Sequence, residues 1–283
     1  MIHKSQELLF LALGGAGEIG MNMSLYGFGG SWLMVDCGIT FGDDRTPGID
    51  VMVPDIRFLE EIGEGLLGII LTHAHEDHLG AIPYLWDKIG CPVYATPFAS
   101  GLLRHKLSEV GLESRVPLRE IPCGGGVEIG PFDVDFISLA HSVPETQALA
   151  IRTPVGCVLH ATDWKLDPAP MLGPPTDDAA LRRVGEQGVI ALMCDSTNVF
   201  VDGTSGSEGP LRDSLSDIVG RCRNRVAIAC FASNVARLAS CVAAAKKAGR
   251  HVGLVGRSLW RMNDVARSCG YLRDCPDFLD IDE

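Results

Sequence analysis

The hexapeptide HAHEDH, His73 to His78, constrains this chain more than any other stretch. Three histidines and two carboxylates fall in six residues, with no lysine or arginine among them. The apolar run LLGIILT, Leu66 to Thr72, leads straight into it and reads as a buried strand. On extended backbone, residues i and i+2 point the same way, so His73 and His75 can converge on one cation. Asp77 and His78 lie just beyond and can face a second. Imidazole combined with carboxylate suits zinc, and manganese is the alternative. A merely polar loop would not need such a density of ligands. A metal pair needs more ligands than these, and strand ends downstream supply them. FDVDFISLAH ends in His141 and GCVLHATD in Asp163, each after an apolar run that delivers a side chain to a sheet edge. Taken singly, each is an ordinary turn residue; taken with HAHEDH, they extend a metal site.

The surrounding sequence has the texture of strands joined by glycine-rich turns. LLFLALGG reads as a first strand, and SLYGF, a GG turn and SWLMVDCG read as a hairpin. His78 to Ile89 has helical periodicity, PVYAT is a short strand, and Pro97 to Val110 is a helix with proline at its start. VEIG, FDVDFISLAH, ALAIRT and GCVLHATD are strands; a helix over Asp177–Gln187 precedes the strand VIALMCDST. After residue 210 the pattern becomes helix Leu211–Cys222, strand RVAIACF, helix Asn234–Ala248 capped by Ser233, the β run HVGLVG, and helix Leu259–Ser268 capped by Ser258. That alternation predicts a parallel βα unit.

Composition bounds the function classes. With 46% hydrophobic and 21% charged residues, the 283-residue chain is globular and not disordered. No run approaches about 18 apolar residues, so no membrane span is expected. Ten cysteines without a CxxC pair or a secretion signal point to reduced thiols and a cytoplasmic protein. The net charge of −12 argues at first against a nucleic-acid partner. Basic residues nevertheless cluster late: Arg221, Arg223 and Arg225, then Lys246, Lys247 and Arg250, then Arg257, Arg261 and Arg267. This shift near residue 200 marks a candidate boundary, with a solvated helix face as the plainer explanation.

HxHxDH followed by a distant histidine and a distant aspartate resembles the metallo-β-lactamase superfamily of dinuclear metallohydrolases. GGAGEIGMNM, DCGITF, GIDVMVPD, LTHAHEDHLGAIPYLW, ATDWKLD and CDSTN narrow the resemblance to bacterial ribonuclease J, in the β-CASP branch. It runs through essentially the whole chain. The resemblance implies an α/β fold: an αββα sandwich, in its N-terminal portion, over residues 1–205, then the start of an α/β β-CASP lid over 206–283. It implies His73, His75 and His141 on one metal, Asp77 and His78 on the second, and Asp163 bridging. Asp36 would orient the metal loop, and Asp195 in CDSTN matches the first β-CASP motif. Asp77, His78, Asp163 and Asp195 would then carry catalysis. Glu76 and His160 are excluded as ligands, and His3, His105 and His251 have no partner in the pattern.

The implied cofactors are two divalent ions, zinc first and manganese or magnesium as alternatives. The implied reaction is RNA phosphodiester hydrolysis, by 5′-to-3′ exonuclease and endonuclease action. Ser233 and Asn234, in FASN at a helix start, are candidate RNA contacts, with simple capping as the alternative. A homo-oligomer is expected of the full-length family member. The sequence departs from the family pattern by ending inside the expected β-CASP insertion, with no counterpart of the family's later histidines after His251. The second metal is therefore expected to lack a ligand, and the chain alone to have little or no nuclease activity. A thioester-type small-molecule hydrolase of the same superfamily and a non-catalytic RNA-binding fragment are the competing readings.

Overall fold

Apolar residues alternate along the strands, and that alternation decides which face of each sheet meets which neighbour. The computed structural model describes residues 6–279. The chain opens with the antiparallel strands β1 (Leu9–Gly14), β2 (Met23–Phe28) and β3 (Ser31–Val35). A small ribbon, β4 (Thr40–Phe41) with β5 (Val51–Met52), and helix α1 (Arg57–Ile62) lead to β6 (Leu66–Ile70), which pairs parallel with β3. Helices α2 (Glu76–Leu79) and α3 (Ile82–Ile89), strand β7 (Val93–Ala95), helix α4 (Pro97–Glu109) and strand β8 (Leu118–Glu120) follow. They complete a six-stranded sheet ordered β1-β2-β3-β6-β7-β8.

The second sheet begins with β9 (Gly126–Ile129), β10 (Phe132–Ser138), β11 (Gln147–Thr153) and β12 (Gly156–His160), all antiparallel neighbours. Helix α5 (Asp178–Gln187) then returns the chain to β13 (Ala191–Met193), which pairs parallel with β12 at the edge. Asp177 caps α5, its carboxylate accepting the Ala180 N–H at 2.8 Å. Helices α6 (Glu208–Arg221), α7 (Val235–Lys247) and α8 (Arg257–Ser268) end the described chain.

The two sheets face each other through one core. Leu33 and Val35 of β3, Ile70 and Tyr94 meet Val134, Phe136, Leu149, Ile151 and Val158 of the second sheet. The alternate residues Trp32, Met34, Ile69 and Val93 point the other way, onto α3 and α4. On the far side, Ala148, Ala150 and Cys157 pack against Val184 of α5. The order helix, sheet, sheet, helix is the expected αββα sandwich. Val235, Leu238, Met262, Val265 and Leu272 from the late region join the α4 side of this core. Tyr271 also donates its hydroxyl to buried Glu145, whose other oxygen accepts the Phe98 N–H in the first turn of α4.

Four local expectations are corrected. The helix expected over His78–Ile89 is split into α2 and α3. The carbonyls of Asp77 and His78 accept the Asn22 and Cys37 N–H groups, and the Ala81 N–H goes to Cys37, so the helical ladder cannot close there. The late strands RVAIACF and HVGLVG do not form; among described residues the only bridge there is Gly253 to Leu279, because neither segment has a ladder partner. Asn234, not Ser233, caps α7: its Oδ1 accepts the Arg237 N–H at 2.9 Å, three residues on. Gly256 precedes α8 and Ser258 lies inside its first turn, so that helix starts without a side-chain cap. The short strands β4, β5 and β8 lack a sequence signature of their own.

Candidate metal centre

The hexapeptide begins where β6 ends, and neighbouring backbone holds it open. The carbonyls of Glu76, Asp77 and His78 accept N–H groups from Ile39, Asn22 and Cys37 at 2.7–3.1 Å. Gly38 makes this approach feasible, since a Cβ there would lie 1.6 Å from the Asp77 carbonyl oxygen. Asp36, at the end of β3, is buried and left-handed, with φ +63°. Its carboxylate accepts the Thr72 N–H at 2.8 Å and takes Nδ1 of His78 at 2.7 Å. Thr162, directly before Asp163, also has positive φ at +43°, a conformation that costs a β-branched residue roughly 1–3 kcal/mol. Both strained positions lie beside candidate ligands.

One ligand atom each from His73, His75, His141 and Asp163 lies within 4.8 Å of the others, and a second such group is Asp77, His78 and Asp163. Among the described residues, Asp163 alone belongs to both. Nε2 of His73 is 3.0 Å from Nδ1 of His75, which is 3.2 Å from Nε2 of His141. A tetrahedral zinc with bonds of about 2.0–2.1 Å spaces its nitrogen ligands at about 3.3–3.4 Å. Two of the remaining ring nitrogens have other partners: Nδ1 of His73 meets the Thr72 hydroxyl at 3.0 Å, and Nε2 of His75 meets Ser142 Oγ at 3.3 Å. Neutral rings that give their N–H outward present bare nitrogens inward, the form a metal binds.

Electrostatics favour that form in the first group. Burial pushes His73 well below the ordinary histidine range, and the neighbouring imidazoles push it further. His75 falls to about 3, through burial and then His141 and His78. His141 is lowered mainly by burial. Burial would raise Asp163, but the His78 contact and the imidazoles of His78, His141 and His75 outweigh it and hold the carboxyl at about 2. His78 differs: burial would depress it, yet Asp36, Asp163 and Asp77 raise it well above its usual value. Burial raises Asp77 against the pull of His78. Asn22 Nδ2 lies 3.3 Å from Asp77 Oδ2 and 3.1 Å from His78 Nε2, bracing both. Three converging neutral imidazoles beside a shared carboxylate fit a divalent cation at the first group, with Asp77 and His78 suited to a second.

A cavity of about 670 Å³ opens over this second group, lined by the glycine-rich loop Gly14–Gly20, Asp36, Asp77, His78, Asp163 and Asp195. Asp195 thus shares the cavity wall, but its carboxylate accepts from Thr197, at 2.6 Å from the hydroxyl and 2.8 Å from the N–H. Glu76 points away to Lys106 of α4 at 2.7 Å. His160 is 2.9 Å from the Tyr26 hydroxyl, and burial lowers it to about 4. His105 and His251 are exposed, and His3 lies outside the described residues. Ser233 and Asn234 sit at the start of α7, away from the cavity lining; Asn234 spends its amide on the cap and on Glu208. Sequence reasoning missed Thr72, Ser142 and Thr162, whose adjacency to His73, His141 and Asp163 was the only signal, and Asn22, which is 55 residues from its partner Asp77 and gave none.

Comparison with known proteins agrees with this geometry. Residues 17–188 match the metallo-beta-lactamase superfamily, and residues 223–283 match the ribonuclease J beta-CASP domain. Ribonuclease J of Sinorhizobium meliloti is 47% identical over 99% of this chain and 50% of its own length. That of Corynebacterium glutamicum is 40% identical over 94% of this chain and 37% of its own, and that of Mycobacterium tuberculosis 39% identical over 98% and 50%. The chain spans half or less of the length of these curated relatives. A crystal structure of an Enterococcus faecalis protein of unknown function covers 96% of this chain, and this chain covers 76% of it, at a TM-score of 0.64 and 16% identity, a likeness of fold. From the sandwich, the clustered ligands and the match over residues 17–188, the chain belongs to the metallo-β-lactamase superfamily, and it resembles ribonuclease J over nearly its whole length.

Proposed function

We propose that this chain is the metal-binding part of a ribonuclease that hydrolyses RNA phosphodiester bonds. The observation that carries the reading is the convergence of three imidazole nitrogens beside Asp163, a carboxylate shared with the Asp77 and His78 group. His73, His75, His141 and Asp163 would hold one ion, and Asp77, His78 and Asp163 the other. Zinc suits this donor set best, with manganese or magnesium as alternatives. When bound, a pair of divalent ions supplies Lewis acidity, bringing the pKa of water to roughly 7 and offsetting charge on the phosphoryl group. The chain's own residues provide orientation: Asp36 holds His78, Asn22 braces Asp77, and Asp195 shapes the cavity wall toward the scissile phosphate.

The second group offers three ligands against four in the first, so its ion is held more weakly and the isolated chain cleaves slowly. Residues 1–205 form the hydrolase portion and residues 206–283 the start of the lid, whose arginines contact phosphates without reading bases. Ser233 is the better RNA contact of the FASN pair, since Asn234 is engaged in the helix cap. The full-length protein acts in the cytoplasm, as a homo-oligomer, with 5′-to-3′ exonuclease and endonuclease activity.

The test is metal content per chain, measured with cleavage of 5′-monophosphate and 5′-triphosphate RNA. One ion retained through dialysis, a second bound only in excess metal, and slow RNA cleavage lost in His75→Ala are expected. A chain that binds no divalent ion, or that hydrolyses a thioester and leaves RNA intact, overturns the reading. Processive RNA degradation without added metal overturns the weak second site.

A further inference from the structure

The buried hydroxyl of Thr72 touches two of the segments that carry candidate ligands and the carboxylate of Asp36 that orients them. Its Oγ1 lies 2.9 Å from Asp36 Oδ2, 3.0 Å from His73 Nδ1 and 2.8 Å from Thr162 Oγ1. Proton accounting resolves the direction of each bond. A carboxylate only accepts, so the single Thr72 proton goes to Asp36. The two lone pairs left on Oγ1 then accept from His73 Nδ1–H and from the Thr162 hydroxyl. His73 is thereby held as the Nδ1–H tautomer, with a bare Nε2 toward His75 at 3.0 Å. Asp36 meanwhile takes Nδ1 of His78 at 2.7 Å, so one carboxylate orients both rings, His78 directly and His73 through the threonine.

We propose that Thr72 is a positioning residue that selects the tautomer of His73 and ties Thr162, with the adjoining Asp163, to the same point. A purely structural threonine would fill space and satisfy Asp36 without fixing which nitrogen of His73 faces the ligand group. Thr162 supports the wider role: its left-handed backbone needs outside restraint, and its hydroxyl is held by Thr72 at 2.8 Å. The inference rests on the metal-binding reading above, but the tautomer can be measured with no metal present.

The test uses the full chain in two arms. In the first, two-dimensional ¹⁵N–¹H spectra of the metal-free protein near neutral pH identify the His73 tautomer. In the second, Co²⁺ is titrated and followed by its visible absorption. Wild type and Thr72→Ser are expected to show the Nδ1–H tautomer and to bind Co²⁺ within about threefold of one another. Thr72→Val is expected to lose that tautomer preference and to bind Co²⁺ about 10–100-fold more weakly. An Nε2–H tautomer in the wild type overturns the proposal whether or not Thr72→Val folds. So does a folded Thr72→Val with wild-type Co²⁺ affinity, or a Thr72→Ser as weak as Thr72→Val. A wild-type chain that binds no Co²⁺ refutes the metal-binding reading itself, and the tautomer still decides the role of Thr72.

Discussion

The Tyr271 hydroxyl donates to Glu145 at 2.9 Å, joining the chain just past α8 to the loop that carries His141. Glu145 is buried and left-handed at φ +63°, and it also accepts the Phe98 N–H at 2.8 Å. Tyr271→Phe removes one bond to this carboxylate and leaves the other. A loss of about 1–2 kcal/mol in urea unfolding is expected, with metal content unchanged. Loss of bound metal in the folded variant would mean that Tyr271 reaches as far as His141.

Asp36→Asn keeps the shape at the end of β3 but replaces one accepting oxygen with a donor. Thr72 or His78 must then give up a bond, and His78 loses its charged partner at 2.7 Å. The second ion is expected to weaken about 10–100-fold, so that dialysed protein retains less metal than wild type. Equal retention at matched free metal would remove Asp36 from its orienting role.

Gly38→Ala puts a Cβ 1.6 Å from the Asp77 carbonyl, on backbone that cannot swing aside. Overpacking of this kind costs about 1–3 kcal/mol, and here it pushes directly on the metal loop. A lowered Tm together with reduced metal content is expected. A variant that unfolds and binds metal like wild type would show that the loop is freer than its hydrogen bonds indicate.

Acid should destabilise the metal-free chain before carboxylates titrate. His75 at about 3 and His160 at about 4 lie below the usual 6.5, so between those values the unfolded chain binds protons that the folded chain refuses. Stability therefore rises with pH across that window, by up to about 1.4 kcal/mol per unit for each such histidine. His78 works the other way: its raised pKa contributes stability below 6.5 that is lost as pH climbs past its folded value. Urea unfolding of apo protein from pH 4.5 to 7 checks this, and a shallower slope is expected in His160→Gln. A flat profile in the wild type would contradict the buried neutral state of these rings.

Most strands and the clustering of candidate ligands were legible in short-range pattern, while the αββα arrangement and the assignment of ligands to two ions came from the family resemblance. Alternation in SWLMV and FDVDFIS assigns faces directly, and His141 and Asp163 stand out at the ends of apolar runs. Thr72, Asn22 and Ser142 carry no such mark, since threonine, asparagine and serine occur at many strand ends and turns. Their roles come from contacts 36, 55 and 67 residues away in sequence. RVAIACF and HVGLVG failed for the complementary reason: β-rich composition gives a strand its preference, and only a neighbour gives it a ladder. The α2–α3 break had a similar origin, in carbonyls claimed by Asn22 and Cys37.

Asp163 serves two groups with one charge, and this changes the ionic balance of the cavity. Had each group its own aspartate in that place, two divalent cations would sit among four carboxylates, counting Asp36 and Asp77, and the loaded centre would be neutral. Sharing leaves three carboxylates against four positive charges, provided the four ligating imidazoles are neutral. The cavity, whose wall also carries Asp195, would then be one negative charge poorer than with separate aspartates, inside a chain whose formal net charge is −12. Under the RNA-hydrolysis proposal, metal loading would make this cavity more attractive to a phosphodiester than the metal-free chain is.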